Sequence, residues 1–179
     1  FFKQRRLRFH IGAELTDTQV RLVSLSRQAD RFRVEGYCIG ELAEGVIKEG
    51  EIVDVDAVAS CLKRLVRRMG IKHHFLALAI KSGSAFTKLV MLERRLTRRE
   101  IEELILVEAE GSPPYALDEV YLDYVAVSRV LSRSNIEAHQ YQRMLLVACK
   151  HDALDLRVQA AEQANLQVEA VDLDSFALQ

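Results

Sequence analysis

Residues 11–26 read Ile11-Gly-Ala-Glu-Leu-Thr-Asp-Thr-Gln-Val-Arg-Leu-Val-Ser-Leu-Ser26. The run that ends at Leu15 and the run from Val20 to Ser26 are typical of β-strands, and only four residues separate them, which predicts a hairpin. Its polar turn carries hydroxyl and carboxylate side chains. Such a turn can present backbone amides to phosphate, with a nearby carboxylate to hold a hydrated metal ion. Ordinary hairpin turns use the same residue types, so the turn alone assigns no ligand.

Strands and helices alternate along the rest of the chain, which predicts a mixed α/β fold. Helical periodicity runs from Val55 to Met69, with Asp54 as the expected N-cap and Gly70 as the stop. Thr97-Arg-Arg-Glu100 is a capping box that predicts the start of a second helix. The other predicted elements are strands at 32–38, 75–80, 85–92, 120–127, 143–149 and 167–173 and a helix at 152–164.

Composition excludes several classes of function. The chain has 179 residues with 25 Lys and Arg against 26 Asp and Glu, so bulk charge does not favour nucleic acid or an anionic membrane. Aromatic residues make up 7% and Trp is absent, which leaves few platforms for stacking of bases. The longest apolar run, Phe75 to Ile80, is far shorter than the roughly 20 residues that span a bilayer. We expect no nucleic-acid partner and no membrane-spanning helix.

Cysteine usage indicates a reducing compartment. Cys38, Cys61 and Cys149 are odd in number and widely spaced, and none belongs to a CxxC pair. The sequence begins without Met and lacks the apolar stretch of a signal peptide, so we expect a cytoplasmic protein of which this chain is a part.

The sequence predicts no catalytic or metal site. It contains no GxxxxGK[ST], GxGxxG, HExxH or GxSxG motif. Two arginine clusters are predicted to lie on solvated helix faces, with an anionic lipid surface or an acidic partner as the alternative reading. These clusters are Arg64, Arg67 and Arg68, and Arg94, Arg95, Arg98 and Arg99.

Several segments also occur in a characteristic order. The most specific is Glu108-Ala-Glu-Gly-Ser-Pro-Pro-Tyr-Ala-Leu-Asp-Glu-Val120 with Asp123. It follows the hairpin and Glu49-Gly-Glu-Ile-Val-Asp54, and it precedes Val171-Asp-Leu-Asp-Ser-Phe-Ala177. In this order and spacing the segments resemble the PilM family of type IV pilus assembly proteins, which are actin-like relatives of the cell-division protein FtsA. The resemblance runs from about Ile11 to Leu178.

The resemblance implies the first half of an actin-like ATPase-type α/β fold with a small inserted subdomain. We expect residues 1–50 and 148–179 to form the core subdomain and residues 51–147 the insertion. Members of the family lie at the cytoplasmic face of the bacterial inner membrane, where they contact the membrane through a partner. A groove between the two subdomains holds an extended N-terminal peptide of the bitopic membrane protein PilN, through main-chain pairing and side-chain pockets. Self-association is left open.

The resemblance also suggests where two kinds of ligand would bind. We expect the partner groove to involve Ser84, Phe86, Lys88, Gly111 and Tyr115. The hairpin corresponds to a phosphate-binding element, with candidate residues Gly12, Glu14, Thr16, Asp17, Thr18, Gln19 and Arg21.

The hairpin departs from the family pattern of an Asp followed by small residues. Glu14 stands at the Asp position, and Thr16-Asp17 replaces the small pair. The carboxylate of Asp17 would repel phosphate by about 1 kcal/mol or more at an effective dielectric constant of about 20. We therefore expect no cofactor for this chain. ATP with magnesium would require a longer protein that supplies a second phosphate loop and an adenine pocket.

The predicted function is a non-enzymatic scaffold of the inner-membrane type IV pilus assembly machinery, or of a related competence or secretion machine. The alternative is an actin-like protein that binds and hydrolyses ATP, such as an FtsA-like cytoskeletal protein or a type II secretion platform component. No residue is assigned a catalytic role.

Overall fold

A computed structural model of the chain describes residues 11–28, 31–72, 74–111, 116–127 and 140–178. Within these ranges the chain forms strands and α-helices that alternate as the sequence predicts. The strands are β1 (Ile11–Leu15), β2 (Gln19–Gln28), β3 (Arg31–Glu41), β4 (Ile47–Lys48), β5 (Glu51–Ile52), β6 (Phe75–Ile80), β7 (Ala85–Glu93), β8 (Val120–Val127), β9 (Tyr141–Lys150) and β10 (Gln167–Leu173). The helices are α1 (Val55–Met69), α2 (Arg98–Ala109) and α3 (His151–Gln163).

The described residues divide into two compact units. The larger unit contains those of Gln4–Ser84 and Asp152–Gln179, and the smaller unit contains those of Ala85–His151. The predicted insertion at 51–147 differs from this division, because residues 51–84 belong to the larger unit. They supply α1 and β6, and β6 is hydrogen-bonded between β10 and β1 in the sheet of that unit.

The larger unit is built on a five-stranded mixed sheet with the order β10-β6-β1-β2-β3. Strands β10, β6 and β1 pair in parallel, and β2 is antiparallel to both of its neighbours, β1 and β3. Alternate residues of β1 are buried, and Ile11, Ala13 and Leu15 belong to one apolar core with residues of α1 and α3. Period-two burial on β1 is the pattern expected of a strand whose one face is covered by helices.

Helix α1 begins and ends at the residues that the sequence predicts. The side chain of Asp54 accepts a hydrogen bond from the amide of Ala57 at 2.9 Å. Gly70 adopts φ 63°, and its amide donates to the carbonyl of Arg67 at 3.1 Å. A side chain other than glycine is strained in this left-handed conformation, which is why the helix stops there.

The smaller unit pairs a three-stranded antiparallel sheet, in the order β7-β9-β8, with α2. The predicted capping box is confirmed, since Thr97 Oγ1 accepts from the amide of Glu100 and the Glu100 carboxylate accepts from the amide of Thr97 at 2.7 Å. Ala85 on β7 lies opposite Cys149 on β9. The chain therefore enters and leaves this unit on neighbouring strands.

A small hairpin that the sequence does not predict follows β3. The two-residue strands β4 and β5 form a small hairpin whose turn, at Glu49 and Gly50, has φ of 52° and 86°. Strands this short show no periodicity, so no pattern in the sequence reveals them.

Candidate phosphate hairpin and partner-binding residues

The tip of the β1–β2 hairpin is closed by its own polar groups. The amide and the hydroxyl of Thr16 donate to the carbonyl of Gln19 at 2.9 and 3.1 Å. The amide of Gln19 in turn donates to Thr16 Oγ1 at 3.0 Å. These two amides are engaged within the turn, so neither is directed at an external ligand.

Asp17 connects the hairpin tip to the small β4–β5 hairpin. Its Oδ1 accepts from the amide of Gly50 at 2.9 Å. The carbonyl of the same glycine accepts a hydrogen bond from Nη2 of Arg157 on α3. The amide and the carbonyl of Gly50 are thus both hydrogen-bonded to side chains. Asp17 therefore has a structural role, which its position in a candidate phosphate-binding turn does not indicate.

Arg157 is a residue that the sequence analysis missed. Its side chain is only 1% exposed, on a helix whose other buried residues are Ala160 and Ala161. With Ala164 these positions follow helical spacing. Arg157 stands in the apolar stripe of a helix that the sequence predicts. That position could have indicated that its guanidinium makes a buried hydrogen bond.

The remaining hairpin residues also serve the sheet. Arg21 donates to the carboxylate of Glu14 across the strands at 3.0 Å, and its guanidinium reaches Oε1 of Gln19 at 3.3 Å. A Cβ at Gly12 would lie 3.1 Å from Cγ1 of Val23, so the glycine allows close packing of β1 on β2. The structure therefore places the seven candidate residues on one hairpin, as predicted, with several of their polar groups bonded to one another.

An open cavity of about 1030 Å³ lies beside the hairpin tip. Asp17, Glu44, Glu49 and Glu51 contribute four carboxylates to its lining, against one ammonium group from Lys48. Phosphate would meet a net negative field there. Together with the engaged amides, this charge makes the described residues a poor fit for the phosphates of a nucleotide.

A second polar cluster follows the strands β6 and β10, which run parallel and end at the same edge of the sheet. The carboxylate of Asp174 accepts hydrogen bonds from the hydroxyl and, at 2.9 Å, from the amide of Ser82. The Ser82 hydroxyl also lies 2.7 Å from Oγ of Ser175. The hydrogen bond from the Ser82 side chain is the main reason that the pKa of Asp174 is lowered from its usual value. In open α/β sheets this carboxyl edge is the usual place for ligands.

The candidate partner residues are divided between the two units. Ser84 belongs to the larger unit, whereas Phe86, Lys88 and Gly111 belong to the smaller one, and Tyr115 lies outside the described residues. Phe86 packs against the core beneath α2.

Lys88 and Gly111 occur near the end of α2. Lys88 Nζ lies 2.7 Å from the carboxylate of Glu108 and 3.2 Å from its carbonyl oxygen. Gly111 is exposed, with φ 81°. Lys88 therefore connects β7 to the last turn of α2. If it also binds the partner, the same ammonium group must serve both contacts.

Two solved structures have the same fold. The chain superposes on a protein of a "PilM-PilN type IV pilus biogenesis complex" with a TM-score of 0.81 and 20% identity, covering 95% of this chain and 49% of the other. It also matches the cytoplasmic domain of EpsL, an inner-membrane component of the type II secretion system of Vibrio cholerae, with a TM-score of 0.55 and 9% identity over 90% of this chain and 56% of the other. The chain thus spans about half the length of these proteins. The fold is a mixed α/β fold of the actin-like ATPase type.

The sequence match is more specific than the fold. A family model described as type IV pilus assembly protein PilM matches residues 12–179. The chain belongs to the PilM family of type IV pilus assembly proteins. None of the described helices is long and apolar enough to cross a bilayer.

Proposed function

We propose that this chain is a non-enzymatic scaffold in type IV pilus assembly that binds the N-terminal peptide of a PilN-type membrane protein. It would act in the cytoplasm at the inner face of the inner membrane, with the partner supplying the membrane anchor. The observation that carries the proposal is the PilM family match over residues 12–179. The similar fold of a protein solved in a PilM–PilN complex supports the choice of partner.

The hairpin supports the non-enzymatic part of the proposal. Its Thr16 and Gln19 amides, its Asp17 carboxylate and its Arg21 guanidinium all have partners inside the protein. Rearranging them around a phosphate group would break these hydrogen bonds, each worth about 0.5–1.5 kcal/mol. We therefore expect neither tight binding nor hydrolysis of ATP by this chain.

A peptide titration tests the function directly. A fluorescently labelled PilN-type N-terminal peptide is titrated with the chain and its anisotropy is recorded, with a scrambled peptide as the control. The titration is then repeated with magnesium and ATP. Saturable, sequence-dependent binding that ATP does not change is the expected result. Clear ATP binding without peptide binding would contradict the scaffold and favour an ATP-hydrolysing actin-like protein.

Two variants separate a direct role of Lys88 from its structural one. Lys88→Gln and Glu108→Gln both remove the same ion pair, and both should have similar small effects on thermal stability. If the lysine contacts the peptide, only Lys88→Gln weakens binding. Equal affinity in the two variants would remove Lys88 from the proposed binding surface while leaving the peptide titration as the test of the function.

A further inference from the structure

Acidic residues are absent from a long stretch of the sequence that includes α1 and β6. From Ala57 to Leu92 there are seven Lys and Arg residues and no Asp or Glu, although the whole chain has 26 acidic residues. Five of the seven basic residues lie within residues 63–72. The near-zero net charge of the chain therefore conceals a local excess of positive charge at the end of α1.

A cavity of about 390 Å³ lies at that end of α1, within the larger unit. Lys63 and Arg67 contribute cationic side chains to its lining and His74 adds an imidazole, and no carboxylate of the described residues lines it. The Nδ1 of His74 donates to the carbonyl of Asn165 at 3.1 Å. This bond holds the imidazole at the wall of the cavity. We call it the α1-end cavity.

The two cations of this cavity differ from the arginines in the first turn of α2. Among the described residues no salt bridge involves Lys63 or Arg67. In the second arginine cluster, by contrast, Arg98 and Arg99 each bind a glutamate one turn further along α2 at 2.9 Å. Among the described residues, Lys63 and Arg67 thus lack the carboxylate partner that Arg98 and Arg99 have, and Arg94 and Arg95 of the second cluster lack one as well.

Compensation of the helix dipole does not account for the whole group. Cations in the last turn of a helix stabilise its carbonyl end, which explains Arg67 and Arg68. Lys63 lies more than one turn before the helix end, and His74 lies beyond Gly70 in the segment that leads to β6. These two residues converge with Arg67 on one concave surface.

We propose that the α1-end cavity binds a phosphate group, carried either by an anionic phospholipid or by a soluble phosphate ester. Arg and Lys are the side chains that hold phosphate through charge-assisted hydrogen bonds. The volume of the cavity is in the range of small-ligand sites. The site is separate from the acidic cavity at the hairpin tip, and it does not depend on the proposed partner peptide.

The test compares two double variants that remove equal charge. Lys63→Gln/Arg67→Gln alters the cavity, whereas Arg98→Gln/Arg99→Gln alters the two arginines of α2 that are paired with glutamates. The soluble arm measures binding of glycerol 1-phosphate by calorimetry. The lipid arm measures co-sedimentation with vesicles of phosphatidylcholine and phosphatidylglycerol, and with phosphatidylcholine alone as the blank. Circular dichroism checks that each variant is folded.

We expect the cavity variant to lose roughly 25-fold in affinity, since each basic residue near an anionic surface contributes about fivefold. The α2 variant should bind nearly as the parent chain does. Binding of glycerol 1-phosphate alone would assign a soluble ligand, whereas binding of the mixed vesicles alone would assign the lipid, and either supports the site. No binding in either arm, equal losses in both variants, or preferential binding of a poly-glutamate peptide would overturn the proposal.

Discussion

The absence of a side chain at Gly40 sets how closely α1 approaches β3. A Cβ at this position would lie 2.8 Å from Sγ of Cys61 and 3.1 Å from both methyl groups of Leu65. Both neighbours are buried, at 2% exposure each, so they have little room to move. Sequence alone shows only a glycine two residues beyond the strand predicted at 32–38, and no local pattern indicates that a helix packs against it.

We predict that Gly40→Ala lowers the free energy of unfolding by about 1–3 kcal/mol, because the added methyl group overpacks the core. Gly36→Ala is the matched control on the same strand, since a Cβ there would meet only Cε of Met69 at an ordinary 3.6 Å. Urea denaturation of the two variants measures the difference. Equal stabilities would show that α1 can shift away from β3 at little cost.

The hydrogen bond between Asp17 and the amide of Gly50 gives a second prediction at this scale. Asp17→Ala should lower the free energy of unfolding by about 1 kcal/mol, because the amide loses its acceptor. Thr18→Ala serves as the control, since the adjacent residue is exposed and uses its carbonyl to bind the amide of Leu42. The prediction is wrong if Asp17→Ala keeps the stability of the parent chain and gains ATP binding. That outcome would show that the carboxylate repels phosphate rather than stabilising the fold.

The Ser82–Asp174 contact predicts a dependence on pH. The pKa of Asp174 is lower in the folded chain than its ordinary value, chiefly because of the Ser82 side chain. The ionised carboxylate therefore stabilises the fold above the unfolded pKa, and this contribution is lost as pH falls through the folded pKa. In Ser82→Ala the pKa of Asp174, followed by NMR titration of its carboxyl carbon, should rise. An unchanged pKa would assign the shift to other groups.

The sequence predicts those elements whose boundaries are set by neighbouring residues. It does not predict elements that depend on contacts with residues far along the chain. Helix α1 is defined by Asp54, by its apolar periodicity and by Gly70, all within about one turn of the residues that they affect. The β4–β5 turn depends instead on the contact of Gly50 with Arg157, which lies 107 residues further along the chain. No local pattern encodes that contact.

The same contrast applies to the candidate site. Position and residue type identified the hairpin as a unit, and the structure confirms that it is one. The hydrogen bond between Asp17 and the amide of Gly50 could not be predicted, because Gly50 lies on a separate element, 33 residues further along the chain. Likewise, the sequence shows two arginine clusters but not that glutamates of α2 pair with two arginines of the second cluster, Arg98 and Arg99.

At the end of α1, the effect of a substitution on stability can be predicted from the backbone conformation without any steric clash. A Cβ would meet nothing within 4 Å at either Gly70 or Gly83, but only Gly70 has a left-handed φ, of 63°. Gly70→Ala should therefore lower the free energy of unfolding by about 1 kcal/mol. Gly83→Ala should be neutral or slightly stabilising because it restricts the unfolded chain. Thermal unfolding of both variants makes the comparison, and a stable Gly70→Ala variant would mean that the cap can rearrange.

At the scale of the described chain, a discontinuous larger unit is interrupted by the smaller one. Because Ala85 and Cys149 are paired on neighbouring strands, the two ends of the smaller unit lie close together. We predict that replacing residues 85–151 by a short Gly/Ser linker leaves the larger unit folded, as insertions with adjacent ends are commonly removable. Cooperative unfolding and dispersed amide signals in an NMR spectrum would confirm it. A molten variant would show that the larger unit needs its insertion.

Strand order also constrains the sequence of events during synthesis. In the sheet, β6 lies between β1, which is synthesised before it, and β10, which is synthesised after the whole of the smaller unit. The smaller unit is contiguous, so it can fold while α3 and β10 are still being translated. During that interval the nascent chain exposes the flank of β6 that β10 will later occupy, an unpaired edge of the kind to which chaperones and misfolded neighbours bind. Slow codons or a pause after residue 151 would lengthen the exposure and lower the yield of native protein.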